Sequence, residues 1–257
     1  MTNAHEITTE NLNSLIGRPD APTLIDVSID PDFEEDPFLI PGAFRHPYKD
    51  FTGIMDRLHG TDAVIICQKG GKLSQGCASW LRSEGVAARY LLGGNHAWRD
   101  TPGVLRVPAL RLPAHGVGKS LWVTSTSLGP NRLASTWLVR RFLDPSARVL
   151  FVADAERDGV SERYGATAFE DFATKLAPAH SHVTFEAMVQ HFTLNSSALN
   201  GMADALTDGA PEAVGITAIL NGIGGRETSA EARATAALPI FDALFLQMQH
   251  RVIPAVR

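Results

Sequence analysis

Short, uniformly apolar runs alternating with helical stretches constrain this chain most. "TLIDV" (23–27), "AVIIC" (63–67) and "ARYLLGG" (88–94) are too short for helices and read as buried strands. Between them fall "ITTENLNSLIG", with Thr8 or Thr9 as its cap, then "MDRLHG", and "SQGCASWLRSEG", ended by Gly85. An acidic loop follows the first strand, and "LIPGAFRHPY" supplies a turn. Strands and helices at this spacing predict βαβ units and a parallel sheet flanked by helices, so the fold class is α/β.

That alternation stops at "TPGVLRVPALRLPAHGVGK" (101–119), where three prolines and three glycines interrupt every helical period. With 257 residues available, the break predicts two compact domains, 1–104 and 119–257, joined by a linker at 105–118. Downstream, "LWVTSTS" and "ARVLFVA" read as strands enclosing the helix "RLASTWLVRRFL", with Asn131 as its cap. Leu133, Trp137, Leu138 and Phe142 form that helix's apolar stripe. Four further helices are expected: "FEAMVQHF", "SSALNGMADAL", "PEAVGITAILNGI" and "SAEARATAALPIFDALFLQMQ". Pro211 suits a first turn and Pro239 is expected to end or kink the last helix. The second domain is therefore read as an α-rich α+β fold.

No apolar run is long enough to span a bilayer, and the polar, acidic N-terminus is unlike a secretory signal, so the expected address is the cytoplasm, with no membrane partner. Two cysteines, Cys67 and Cys77, exclude a disulfide framework. The net charge of −5 argues against nucleic acid as a partner. Residues 1–104 carry nine Lys/Arg against fourteen Asp/Glu, while the remainder carries fourteen of each. An anion recognised in the first domain must therefore be held by local geometry.

Cys67 offers such geometry. A strand delivers it to the C-terminal edge of a parallel sheet, where ligands of α/β folds gather. Gly70 and Gly71 let the chain curl, and a helix beginning near Ser74 points its unpaired amides back toward the sulfur. Lys69 and Lys72 add positive charge. A thiol in that nest ionises readily and can attack a sulfane sulfur, leaving a persulfide in the same cradle. A small core residue followed by an ordinary turn is the alternative. Cys77, inside the helix beside Ala78, Trp80 and Leu81, reads as core packing.

"LIDV", "IPGAFRHP", "CQKGGKLSQGCASWL" and "YLLGGNHAW", in that order over residues 6 to about 103, resemble the rhodanese-like sulfurtransferase family. The resemblance implies Cys67 as the persulfide-carrying nucleophile and a substrate-binding loop of Gln68, Lys69, Gly70, Gly71, Lys72, Leu73 and Ser74. It also implies a small anionic donor such as thiosulfate, a thiol or other nucleophilic acceptor, and no cofactor. Ser28 stands where the family's "DVR" has arginine, and "KLS" replaces a common "RS". From residue 121 to about 249, "GPNRLASTWLVRRFLDPSARVLFV" and the segments after it resemble the chromate-resistance domain family. Asn131 and Ser135 stand where that family commonly has an acid and a cysteine, and Val183 precedes "TFE" where a cysteine is common.

Asp26 reads as a hydrogen-bond acceptor at a turn, and Trp98 as packing. His46 and His96 could border the loop, but ordinary turn or cap roles are favoured. Arg132, Arg140 and Arg141 form either a solvated basic face or an oxyanion clamp. His180, His182 and Glu186 make a weak metal pattern, and no metal is assigned. "GIGGR" (222–226) lacks the lysine of a phosphate loop and reads as a helix end. The expected function is sulfur transfer in a chromate-resistance setting. A non-enzymatic, chromate-responsive binding or regulatory protein is the alternative.

Overall fold

The computed structural model describes residues 4–113, 119–172 and 184–252, the side chain of Val252 excepted. The chain divides into two compact units. The first is Met1–Gly118 with Arg141–Pro145, and the second is Lys119–Arg140 with Ser146–Arg257.

The first unit begins with β1 (Glu6–Ile7) and α1 (Thr9–Asn13), whose cap is Thr8: its hydroxyl accepts from the Asn11 amide. Then come β2 (Thr23–Asp26), α2 (Asp30–Glu34), β3 (Phe38–Leu39), β4 (Phe44–Arg45) and α3 (Met55–Leu58). The unit continues through β5 (Asp62–Ile66), α4 (Lys72–Ser83), β6 (Ala87–Leu91), α5 (Gly94–Asp100) and β7 (Val107–Pro108). A five-stranded sheet of order β1-β6-β5-β2-β4 is parallel at every pairing, with β5 central.

Burial on both faces explains why β5 is apolar without alternation. Ala63 and Ile65 pack in one cluster with Ala78 and Leu81 of α4, while Val64 and Ile66 are fully buried as well.

Three local features differ from the sequence reading. The acidic loop contains α2, with a proline in its first turn, the one helical position where a missing amide costs nothing. Helix α4 starts at Lys72, two residues before Ser74, because Gly71 is its cap, with φ −96° and ψ −147°. Within the stretch read as linker, β7 pairs antiparallel with β3 and the Leu105 carbonyl accepts from Trp98 Nε1 at 3.0 Å, so order continues past residue 104.

In the second unit, β8 (Leu121–Ser125) leads into α6 (Pro130–Leu138); a π-helical turn (Val139–Leu143) follows, of which Arg141 onward is counted with the first unit. Next are β9 (Arg148–Val152), α7 (Arg157–Tyr164) and β10 (Thr167–Ala168). Four helices follow: α8 (Thr184–His191), α9 (Ser197–Ala205), α10 (Pro211–Arg226) and α11 (Ala230–Val252). The sheet is parallel, of order β10-β8-β9. Gly129, not Asn131, caps α6, because Pro130 takes the first helical position and moves Asn131 into the first turn. "GIGGR" is the last turn of α10.

Pro239 lies inside α11 and does not end it. Ala234 and Ala237 are buried before the proline, and Phe241, Phe245 and Met248 after it. Trp137 Nε1 donates to Asp242 Oδ1 at 2.7 Å. Packing on both sides outweighs the roughly 3 kcal/mol that an internal proline costs a helix.

Candidate functional site

Cys67 follows the last residue of β5, at the C-terminal edge of the parallel sheet. Main-chain bonds fix its surroundings. Val27 N–H donates to the Ile66 carbonyl at 2.8 Å, Asn95 N–H to the Cys67 carbonyl at 3.0 Å, and His96 N–H to the Gln68 carbonyl at 3.0 Å. The cysteine loop is thus stitched to the turn after β6. Gly70 has φ +62°, and a Cβ there would meet Leu91 O at 2.5 Å and Gly94 N at 2.7 Å. Gly94 has φ +61°, and a Cβ there would overlap the Cys67 carbonyl oxygen and the Gly70 nitrogen. Both glycines are therefore demanded by backbone-to-backbone contact as well as by left-handed geometry.

Among the described residues, no backbone carbonyl accepts from the amides of Gln68, Lys69, Gly70, Gly71, Lys72, Leu73 or Ser74. Two causes combine: the curled loop offers no ladder partner, and Lys72, Leu73 and Ser74 form the first turn of α4, whose amides have none by construction. The seven amides that follow Cys67 in the chain are thus without a main-chain acceptor among the described residues. The Lys69 and Lys72 side chains are exposed, and neither forms an ion pair among the described residues.

Cys67 itself is 5% exposed, and its Sγ–H donates to Ser74 Oγ at 3.1 Å. Ser74 is fully buried and its hydroxyl donates in turn to the Gly71 carbonyl at 3.3 Å. The Gln68 side chain has a partner within the protein: its Nε2 donates to Glu35 Oε2 at 2.9 Å. Gln75 Nε2 donates to the Gly70 carbonyl at 3.1 Å, bracing the loop from the second turn of α4.

Beneath the loop, Asp26 Oδ1 accepts from Ser28 N–H at 2.8 Å and Oδ2 from Asn95 Nδ2 at 2.7 Å. Burial pushes the Asp26 carboxyl up from its ordinary value, opposed by the hydrogen bonds from Asn95 and Ser28 and by the charge of Arg45. Its role here is architectural. His46 Nε2 lies 2.5 Å from the Asp50 carbonyl and its ring packs against Phe51, while Trp98 is buried.

Sequence reasoning missed Glu35, Gln75, Gly94 and Asn95. The signal for the last two was present in "YLLGGNHAW", a glycine doublet before an amide side chain. It also missed a cavity of ≈ 400 Å³ alongside α4, lined by Tyr48, Phe51, Lys72, Cys77 and Trp80 among others. Cys77 opens onto it; burial first, and the charge of Cys67 second, push its thiol up to about 11.

In the second unit Arg132 Nε donates to Glu170 Oε1 at 2.9 Å and its Nη1 to the Ser127 carbonyl at 2.8 Å. Thr124 Oγ1 donates to the same Glu170 oxygen at 3.0 Å. Arg132 is thus committed to a carboxylate. Arg140 and Arg141 lie in the π-helical turn. Glu186 is exposed on α8 and accepts from Gln190 Nε2 at 3.0 Å; His180, His182 and Val183 lie outside the described residues.

The first unit is a parallel sheet carrying a cysteine beyond its central strand, followed by a glycine-bearing loop and a helix, an arrangement that has solved structures similar to it. It is similar to a rhodanese-like domain protein from Staphylococcus aureus, at 24% identity over 39% of this chain and 95% of that one, with a TM-score of 0.33. A rhodanese-related protein from Thermoplasma volcanium aligns at 21% identity over 40% and 97%, with a TM-score of 0.34. A thiosulfate sulfurtransferase from Pseudomonas aeruginosa aligns at 21% identity over 40% of this chain and 19% of that one, with a TM-score of 0.35. No curated protein matches the sequence. Residues 122–248 match the family model described as ChrB, C-terminal domain. No helix among the described residues is long and apolar enough to cross a membrane.

Proposed function

We propose that the first unit is a cytoplasmic sulfurtransferase and that Cys67 carries the sulfur. Its thiolate attacks the outer sulfur of a small anionic donor such as thiosulfate. The donor's S–S bond breaks, sulfite leaves with the electron pair, and a persulfide anion remains on Cys67. A thiol or other nucleophile then attacks the outer sulfur and regenerates the thiolate.

The carrying observation is the run of seven amides, Gln68 to Ser74, without a carbonyl acceptor beside the cysteine. Fixed donors of this kind stabilise an anion at little reorganisation cost. Lys69 and Lys72 strengthen the attraction, and the 5% exposure of Cys67 favours a small donor over a bulky one. Reduced protein treated with thiosulfate is expected to take one sulfur atom per chain from the donor through Cys67, read as one sulfite freed together with either an added sulfur on the Cys67 peptide or released sulfide, and Cys67→Ser to take none. Equal uptake by both proteins, or none with any sulfane donor, would overturn the reading.

The ChrB C-terminal match supports a chromate-related setting for this activity and favours one further reading, a chromate-responsive regulator. Saturable heat from chromate titration of the full chain, with no sulfur uptake at Cys67, would select that reading instead.

A further inference from the structure

The second thiol shares a helix face with the residue that accepts from the first. Ser74 Oγ, 3.1 Å from Cys67 Sγ, sits on the face of α4 that also carries Cys77 one turn later. Positions three apart on a helix hold their Cβ atoms about 5–6 Å apart. Cys67 and Cys77 belong to the same apolar cluster, and the charge of Cys67 acts on the Cys77 thiol. Cys77 also lines the cavity beside Lys72 and Trp80, which gives a small reagent access to its thiol. Neither cysteine is in a disulfide.

We propose that Cys77 is the internal acceptor for the persulfide on Cys67, so that the loaded domain releases hydrosulfide without an external thiol. The inference rests on the persulfide reading for its chemistry. Cys77 loses its proton and its sulfur attacks Cys67 Sγ. A bond forms between the two side-chain sulfurs and the bond from Cys67 Sγ to the outer sulfur breaks. The outer sulfur leaves with the electron pair and takes up the proton. The sulfane sulfur is thereby reduced to sulfide while the two cysteines are oxidised to a disulfide, and no outside oxidant is consumed. The free amides that hold the persulfide also stabilise the departing anion. A reducing dithiol returns the pair to thiols, completing a cycle in which the protein converts sulfane sulfur into sulfide.

Reduced, thiol-free full-length chain is treated with thiosulfate while sulfide is followed by electrode and the protein by non-reducing mass mapping. About one sulfide per chain is expected, with a Cys67–Cys77 link. In Cys77→Ser and Cys77→Ala the extra sulfur is expected to stay on Cys67 and sulfide release to fall about tenfold or more. A second arm treats unloaded protein with diamide, a thiol oxidant, which tests the approach of the two sulfurs independently of any donor. An internal disulfide with diamide but no sulfur uptake would sink the sulfurtransferase reading while leaving the pair's geometry intact. Absence of the diamide link, or equal sulfide release from wild type and both Cys77 variants, would overturn the inference itself.

Discussion

Asn95 donates its backbone N–H to the Cys67 carbonyl at 3.0 Å and its side chain to the Asp26 carboxylate at 2.7 Å. One residue thus ties the cysteine loop to the end of a neighbouring strand, and the buried acid fixes the position of the turn that fixes the loop.

Asp26 gives this link a pH signature. Its carboxyl is raised by burial, so the folded chain holds the proton more tightly than the unfolded chain does. Stability from this group is complete below the ordinary value of 3.8 and declines as pH rises through the raised one. Asp26→Asn removes that slope. The difference in unfolding free energy between wild type and variant, measured by urea from about pH 4 upward, is expected to shrink as pH rises. A difference independent of pH would contradict the assignment. Asp26→Ala, which also strands the Asn95 amide, is expected to cost about 1–3 kcal/mol.

Gly94→Ala tests the stitched loop by sterics alone. Its φ of +61° is costly for alanine, and the new Cβ would overlap main-chain atoms of Cys67 and Gly70, which cannot move aside as a side chain would. A loss of roughly 2–4 kcal/mol is expected, with faster alkylation of Cys67 as the loop loosens. Gly71→Ala is the control, since nothing lies within 4 Å of its Cβ position. Chemical denaturation with timed iodoacetamide labelling separates the two. Equal losses would mean that the contact at Gly94 is not what holds the loop.

The outline of this site was legible because β5 is apolar on both faces, the glycines break it, and α4 repeats its apolar residues at Cys77, Ala78 and Leu81. These are local signals. What stayed hidden depends on partners distant in sequence. Gln68 reads as a loop donor until Glu35 is found on it, and Asn95 reads as a polar turn residue until Asp26 lies beneath it. Pro239 fails as a helix breaker for the same reason, since Phe241, Phe245 and Met248 are buried beyond it. The starts of α4 and α6 were misplaced because Gly71 and Gly129 cap them without a side-chain hydrogen bond, whereas the hydroxyl cap of α1 at Thr8 was readable.

Cys77 should titrate late. Its thiol stands at about 11, raised by burial and then by the charge of Cys67, so the reactive thiolate fraction grows about tenfold per pH unit below that point. Alkylation of Cys77 is expected to accelerate steadily from about pH 7 to about pH 10. Replacing Cys67 by serine removes the second cause and should move the whole profile to lower pH. Mass-resolved iodoacetamide kinetics on both proteins check this, and a plateau reached near pH 8 would refute it.

In the second unit, Ser135 is fully buried within α6 and its hydroxyl has no hydrogen-bond partner among the described residues. Thr136 beside it shows the alternative, returning its hydroxyl to the Arg132 carbonyl at 3.0 Å. An unmade bond to a buried hydroxyl costs about 1–3 kcal/mol, so removing the group should stabilise the chain. Ser135→Ala is expected to gain about 1 kcal/mol, and Ser135→Cys to gain as well because a thiol tolerates an apolar site better than a hydroxyl. Thr136→Val should lose about 0.5–1.5 kcal/mol. Urea midpoints at unchanged slope decide the matter, and destabilisation by Ser135→Ala would show that the hydroxyl is satisfied after all.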